Sequence, residues 1–419
     1  MPLPIVLAAV TLSLSDASTA QLHPRPVGGG VALDLQTTGV AALGWARDRS
    51  SVGLSYTPGV GVADVTRERQ PIFTQAGSAG YTWQSKRLVL SLRLTGSLAR
   101  QTYLAFAGLA PNPADVGGQG MTGTMPGAGP GMTGTAPTGG AAGQGMQPAN
   151  QVATPYLVRA QVVRVYTVTG SVGLAYLLSR RWNAGIGLAY SIGGGLGHSE
   201  GQIPKHYGPS ASASAGYKLS SRDTLTTSLS SSYTKVPTLG SRFISSTLLE
   251  SWGHVLGKRT QSNLALGVSH LRSRATPQSD YDDSFFAAGN ASLTHSRPLH
   301  GGATLGFTAA TTLGLSYNPL LGVVQQQLTE VAAVGWQKDK TSLGASVTGA
   351  QSLPQSSPAA TRSLGFGVFG GYAIAPAVSL RVGGSWTTQI LPADAGGSYP
   401  AQWTAFAGLS LAAPPITLF

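Results

Sequence analysis

The chain has 419 residues, of which only 10% are charged while 57 are glycine, and it carries no cysteine. So little charge argues against an ordinary soluble globular chain, and the lack of cysteine excludes disulfides and thiolate metal sites. A net charge of +12 raises nucleic-acid binding, but the bases lie in short turns and not in a groove interleaved with stacking aromatics.

Residues 1–20, MPLPIVLAAVTLSLSDASTA, read as a signal peptide: Ile5 to Leu14 is a short apolar core, with Ser18 and Ala20 at cleavage spacing before Gln21. Residues 21–30 follow as a linker. Nothing in the chain approaches the length of apolar run that a membrane-spanning helix needs. From residue 31 onward a pattern repeats. Tight turns stand at ARDRS (46–50), QSKR (84–87), SRR (179–181), SSRD (220–223), GKRT (257–260), SRPLHG (296–301), QKDKT (337–341) and IAPAV (374–378). Between them, apolar and small polar residues alternate with period two, the signature of half-buried strands. Thus Leu88, Leu90, Leu92 and Leu94 share one face while Ser91 and Arg93 share the other. The stretch TLTTSLSSSYT likewise opposes Leu225, Leu229 and Tyr233 to Ser228, Ser230 and Ser232.

Aromatic residues sit just before the turns: Trp45, Tyr81, Trp83, Tyr176, Tyr217, Trp252, Trp336 and Tyr372, with His295 in the equivalent place of the remaining hairpin. A second set, Tyr56, Tyr190, Tyr233, Tyr317, Trp386 and Trp403, falls at the far strand ends. Two aromatic levels separated by about ten alternating residues suit a hydrocarbon slab with two wet boundaries. A soluble sandwich would also alternate, but it needs a charged outer face and bulky inner one. Here the polar face is Gly, Ser, Thr and Ala, which cannot close-pack an interior. The turns are short and the connections between them long, as periplasmic and extracellular segments are in such barrels.

On these residues, 31–419 resemble an outer-membrane β-barrel of Gram-negative bacteria, porin-like in architecture. The resemblance implies an all-β fold: a transmembrane antiparallel up-and-down barrel inserted by the barrel-assembly machinery, whose carboxy-terminal aromatic signal Phe419 resembles. Eight hairpins and the window 402–413 give seventeen strands where an even number is needed. The expectation is therefore 16 strands, with 18 as the alternative if 21–37 supplies another.

Asp34, Arg93, Lys218 and Arg381 fall on the lumenal parity as candidate pore-lining residues. Glu250 and Glu330 fall on the lipid parity, an expensive place for a carboxylate, and a β-bulge turning each inward is expected. The Gly/Pro/Thr-rich insertion 108–152 repeats GMTGT and holds Met121, Met125, Met132 and Met146. It reads as an extracellular loop that folds back as constriction or lid or stays unstructured; Cu(I) capture by its thioethers is the lesser reading. Asp280, Asp282 and Asp283 read as a solvated acidic tip, without the glycine and distal glutamate of a calcium loop. His198, Ser199, Glu200 and His206 share one loop but lack strand-anchored partners for catalysis. No enzyme activity, cofactor or metal is expected. The function expected is a passive or weakly selective pore for small hydrophilic solutes. Its alternative is a non-conducting, secretion- or assembly-associated barrel with a plugged lumen; outer-membrane lipid is the partner, and homo-oligomer formation stays open.

Overall fold

Alternation of this kind fixes strands that present one face to lipid and one to water, and the computed structural model is built from them throughout. It describes residues 9–24, 30–47, 49–65, 70–103, 161–197, 203–274, 276–318, 323–353, 362–390, 398–413 and 416–417. The strands are β1 (Ala9–Pro24), β2 (Val31–Arg47), β3 (Ser50–Ala63), β4 (Gln70–Gln84), β5 (Leu88–Tyr103), β6 (Gln161–Leu177), β7 (Trp182–Gly195), β8 (His206–Lys218) and β9 (Asp223–Val236). There follow β10 (Ser241–Gly257), β11 (Thr260–Arg274), β12 (Asp282–Pro298), β13 (Thr304–Asn318), β14 (Val323–Lys338), β15 (Thr341–Ser352), β16 (Arg362–Ala375), β17 (Val378–Ile390) and β18 (Ser398–Ala412). Each pairs antiparallel with the next, and β1 pairs with both β2 and β18, so the sheet closes. The barrel has 18 strands, the alternative count and not the first expectation of 16. No helix among the described residues is long and apolar enough to cross a membrane.

The strand absent from the expected count is β1. Residues 9–24, read as leader core and linker, stand in the wall: Leu12 to Leu22 face Leu43 to Leu33 of β2, and Ser15 to Leu22 face Ala412 to Ala405 of β18. The reason is visible in the side chains. Leu14 and Leu22 are exposed on the outer face, while Ser13, Ser15 and Thr19 take the opposite parity. A short apolar run bounded by small residues satisfies both a leader core and a strand. Beyond Pro414 and Pro415, the two-residue strand β19 (Ile416–Thr417) pairs with Leu12 and Thr11. Phe419 lies outside the described residues, as does the whole of 108–152 with its methionines.

All eight expected turns join consecutive strands at one end of the barrel. Three share a device: the hydroxyl of Ser85, Ser179 or Ser220 accepts the backbone N–H three residues on, from Leu88 (3.1 Å), Trp182 (3.1 Å) and Asp223 (3.0 Å). That bond substitutes for a backbone turn contact and leaves the intervening Lys or Arg pointing to solvent. Inside the wall, Pro58 has no N–H to donate, and the β2–β3 ladder lapses opposite it, between Thr38↔Gly59 and Ala41↔Tyr56.

The two glutamates correct an expectation. The β10 ladders run without interruption from Arg242 to Val255, and the only shift lies past Val255. Those of β14 run unbroken on both sides of Glu330. Neither residue is turned inward by a bulge; both keep the outer parity of Leu248 and Val334. Glu250 tolerates that face because Thr227, its cross-strand neighbour, donates a 2.6 Å hydrogen bond to Oε2. Desolvation is thereby reduced but not removed. Glu250→Leu should therefore stabilise the barrel by about 1–2 kcal/mol, read as a higher urea midpoint for unfolding from lipid vesicles. An unchanged midpoint would mean that this carboxylate is already fully hydrated.

Candidate channel and its outer mouth

Register assigns every described side chain to the inner or the outer face. The inner face is dominated by hydroxyls that meet across strands. Ser55 and Ser78 lie 2.7 Å apart, Ser97 and Thr167 2.7 Å, Ser232 and Ser245 2.7 Å, Thr247 and Ser269 2.8 Å, and Ser385 and Thr404 2.6 Å. Asn263 donates to Asn290 at 3.0 Å on the same face. Phe369 and Phe406 also point inward, each set across from a glycine of the neighbouring strand. A Cβ on Gly344 would run into the far edge of the Phe369 ring, and one on Gly383 would clash with Phe406 and with the backbone oxygen of Val368.

The four expected pore-lining residues all fall on the inner parity. Asp34 does not project freely, because its Oδ1 accepts the backbone N–H of Asp64 at 2.8 Å and so ties the outer end of β2 to the loop after β3. Arg93 stands mid-wall between Gly80 and Ser171, and Arg381 between Gly371 and Gly408; both are exposed, with small neighbours and no carboxylate partner among the described residues. Lys218 sits at the inner rim, opposite Thr224. The wall is thus close to neutral, with two free guanidinia at depth.

All eight turn-side aromatics take the outer parity, and Tyr176 (40% exposed), Trp252 (45%) and Tyr372 (48%) are the most open. Trp182, which the sequence reading passed over, stacks on Tyr217 with ring centroids 4.6 Å apart. At the same rim Asp223 Oδ1 accepts Trp252 Nε1–H at 3.1 Å and contacts His254 Nδ1 at 2.6 Å, fixing the indole at the boundary. Between the two aromatic levels the outer face is mainly leucine, valine, isoleucine and alanine, for example Ile186 (58%) and Leu188 (61%), interrupted by isolated polar residues such as Glu250 and Glu330. An apolar exterior on a closed sheet satisfies every backbone group without water, the condition for spanning a membrane. The short-turn end then faces the periplasm and the long connections face outward.

The outer mouth holds a feature that sequence patterning alone did not reveal. The β12–β13 ladder stops at Gly289↔Leu313, although β11–β12 continues to Asp282 and β13–β14 continues to Asn318. Above that point the β13–β14 hairpin leaves the wall. Leu315 and Val324, on the outer parity of their strands, pack against a cluster formed by Val236, Phe243, Leu271 and Phe286, which belong to the inner faces of β9 to β12. Outer-parity residues reach an inner face only if the hairpin leans across the lumen. Gln326 seals the departure by donating from Nε2 to Ala287 O at 2.7 Å, a carbonyl that β13 no longer serves. Gln325 Oε1 and Ser241 Oγ are buried there without a partner among the described residues. Each such group costs about 1–3 kcal/mol, so the folded-in position is held by apolar packing against a polar penalty.

Other sequence candidates are not assembled into sites. Asp283 is engaged by His270 Nε2 at 2.9 Å and lies 3.9 Å from Arg272 Nε. His206 is buried with Nδ1 3.2 Å from Pro204 O, and its loop companions His198, Ser199 and Glu200 lie outside the described residues. No group of three His, Cys, Asp or Glu able to hold a metal occurs among the described residues.

The sequence profile of the EpsX exopolysaccharide export family matches residues 9–318, from the first residue of β1 to the last of β13. The chain belongs to this family. No curated protein matches it. Solved structures similar to this EpsX-family chain include OpdL of Pseudomonas aeruginosa, at 11% identity over 98% of this chain and 99% of that one, with a TM-score of 0.45. OccK2 (OpdF) of the same organism has 9% identity over 98% of both chains and a TM-score of 0.48. The FrpB iron transporter of Neisseria meningitidis has 8% identity over 91% of this chain and 63% of that one, with a TM-score of 0.47. The EpsX profile thus begins with the closing strand and ends on the outer arm of the leaning hairpin.

Proposed function

We propose that this barrel is an outer-membrane conduit for uncharged hydrophilic solutes, carbohydrate above all, regulated at its outer mouth by the β13–β14 hairpin. The observation that carries this reading is the inner wall of cross-strand hydroxyls in a barrel of 18 strands, a size that leaves an aqueous lumen. Hydroxyls and amides exchange hydrogen bonds with sugar hydroxyls at little net cost, so a glycan is neither trapped nor rejected. The family's description names exopolysaccharide export, and a neutral wall fits that class better than an ion-selective pore. Arg93 and Arg381 add a weak preference for anions. The outer-face aromatics act as anchors at the two membrane boundaries.

A non-conducting barrel is the competing reading, and the apolar seat that holds the hairpin over the mouth favours it. Planar-bilayer recording separates the two. Purified protein should give ohmic steps that neutral oligosaccharides reduce in a concentration-dependent way. Silence, both in the native chain and after the hairpin is unpinned, would overturn the conduit reading.

A further inference from the structure

On the outer face, where most positions carry leucine, valine or alanine, the outward ends of β8 to β11 carry bases. Register sets Tyr207, Lys235, Arg242 and Arg274 side by side on four successive strands. Neighbouring strands are about 5 Å apart, and like charges directly opposite destabilise a sheet. Three cations in line therefore call for an anion. Their surroundings do not supply one in sufficient amount. Arg272, one step closer to the membrane centre, lies opposite Asp283 with Nε 3.9 Å from Oδ2, while His270 occupies Oδ1. Arg274 donates from Nε to Thr276 O at 3.1 Å, and the guanidinia of Arg272 and Arg274 lie 4.6 and 5.7 Å from the Tyr281 ring. Lys205 lies 6.0 Å from the ring of Tyr207. No carboxylate is within ion-pair distance of Lys235 or Arg242 among the described residues.

The height of the row identifies the occupant. Tyr233 lies two residues below Lys235 on the same face, within the outer aromatic level, so the row stands where lipid headgroups begin. Below and beside it Phe285 (72% exposed) and Leu266 (66%) offer apolar surface to acyl chains. The patch faces away from the lumen, so a solute in transit does not meet it. We infer that Lys235, Arg242 and Arg274 form a binding site for the phosphate groups of an outer-leaflet glycolipid. A phosphate monoester carries close to two charges and several acceptors, and can bridge adjacent guanidinium and ammonium groups with charge-assisted hydrogen bonds. Bound there, it turns a repulsive row into a cross-strand tie over the part of the wall against which the hairpin rests.

The test uses the full chain folded in detergent micelles, with bis-phosphorylated lipid A, the same lipid stripped of phosphate, and inorganic phosphate as probes. Native mass spectrometry reads retained lipid, and the heat-modifiable band on a gel reports the folded barrel. Native protein should retain the phosphorylated lipid in preference to the stripped one. Combining Lys235→Gln, Arg242→Gln and Arg274→Gln should weaken retention about a hundredfold, a factor of about five for each base. Arg242→Gln alone, which relieves the repulsion and keeps both flanking bases, should lose about fivefold and still fold. Equal retention of the two lipids, unchanged retention in the single variant, or thermal stabilisation by inorganic phosphate alone equal to that by the lipid would each overturn the inference.

Discussion

A chain lacking residues 1–24 should fail to form a closed barrel. The deletion removes β1, and with it both of the ladders that join β2 to β18. The two new edges would each expose a row of backbone N–H and C=O groups to hydrocarbon, at several kcal/mol for every unpaired group. Shrinkage to a 17-strand barrel is no escape, because β2 and β18 would then meet parallel to one another. The expected result is loss of the heat-modifiable folded band after refolding into lipid vesicles. Folded yield equal to that of the full chain would show that β1 is dispensable. The same point bears on processing: mature protein from membranes should begin at or before Ala9, and a start at Gln21 would remove most of the strand.

Releasing the leaning hairpin should have the next largest effect. Leu315 and Val324 are its two contacts with the cluster of Val236, Phe243, Leu271 and Phe286. Burial of one aliphatic side chain contributes about 1.5–3 kcal/mol, so losing two shifts the balance between seated and released hairpin by about two to four powers of ten. Leu315→Asp combined with Val324→Asp adds the cost of burying carboxylates in the same place. Single-channel conductance should rise several-fold and the number of stable steps should increase, with the barrel otherwise intact. If conductance is unchanged, the hairpin does not limit the pathway. Phe286→Ala, which enlarges the seat without placing a charge, should raise conductance by less.

Most of the wall was legible because a membrane barrel is specified locally. Each strand has only to alternate, and each turn only to be short and polar, so Leu88 to Leu94 or Leu225 to Tyr233 could be assigned to a face one window at a time. The eight turns fell where short breaks in the alternation indicated, seven of them marked by bases and the eighth by Pro376. The inner parity of Arg93, Lys218 and Arg381 followed from the same counting, whereas the tie from Asp34 to the Asp64 backbone is a contact between segments that counting does not see. Three features resisted for identifiable reasons. In β1, the apolar run through Leu14 serves a leader as well as a strand, and parity could not separate them. Glu250 was expected to turn inward because its cost in lipid was weighed without Thr227, a partner 23 residues away in sequence and adjacent only in the sheet. The leaning hairpin keeps perfect alternation through Leu313, Leu315 and Tyr317, so nothing in the pattern marks where it leaves the wall. Its trace is the clustered bulk of Phe243, Leu271 and Phe286 on a face rich in serine and glycine, together with the glutamines 325–327.

The division of the wall into a lipid face and a water face is open to direct measurement, since the chain has no cysteine of its own. Single cysteines placed in turn at Ser228, Leu229, Ser230 and Ser232 of β9, and at Leu12, Ser13, Leu14 and Ser15 of β1, can be probed in vesicles with a water-soluble maleimide. Labelling should alternate: positions 228, 230, 232, 13 and 15 react, while 229, 12 and 14 react only with a lipid-soluble reagent. Uniform labelling along either strand, or reaction of the leucine positions with the water-soluble reagent, would contradict the barrel as described.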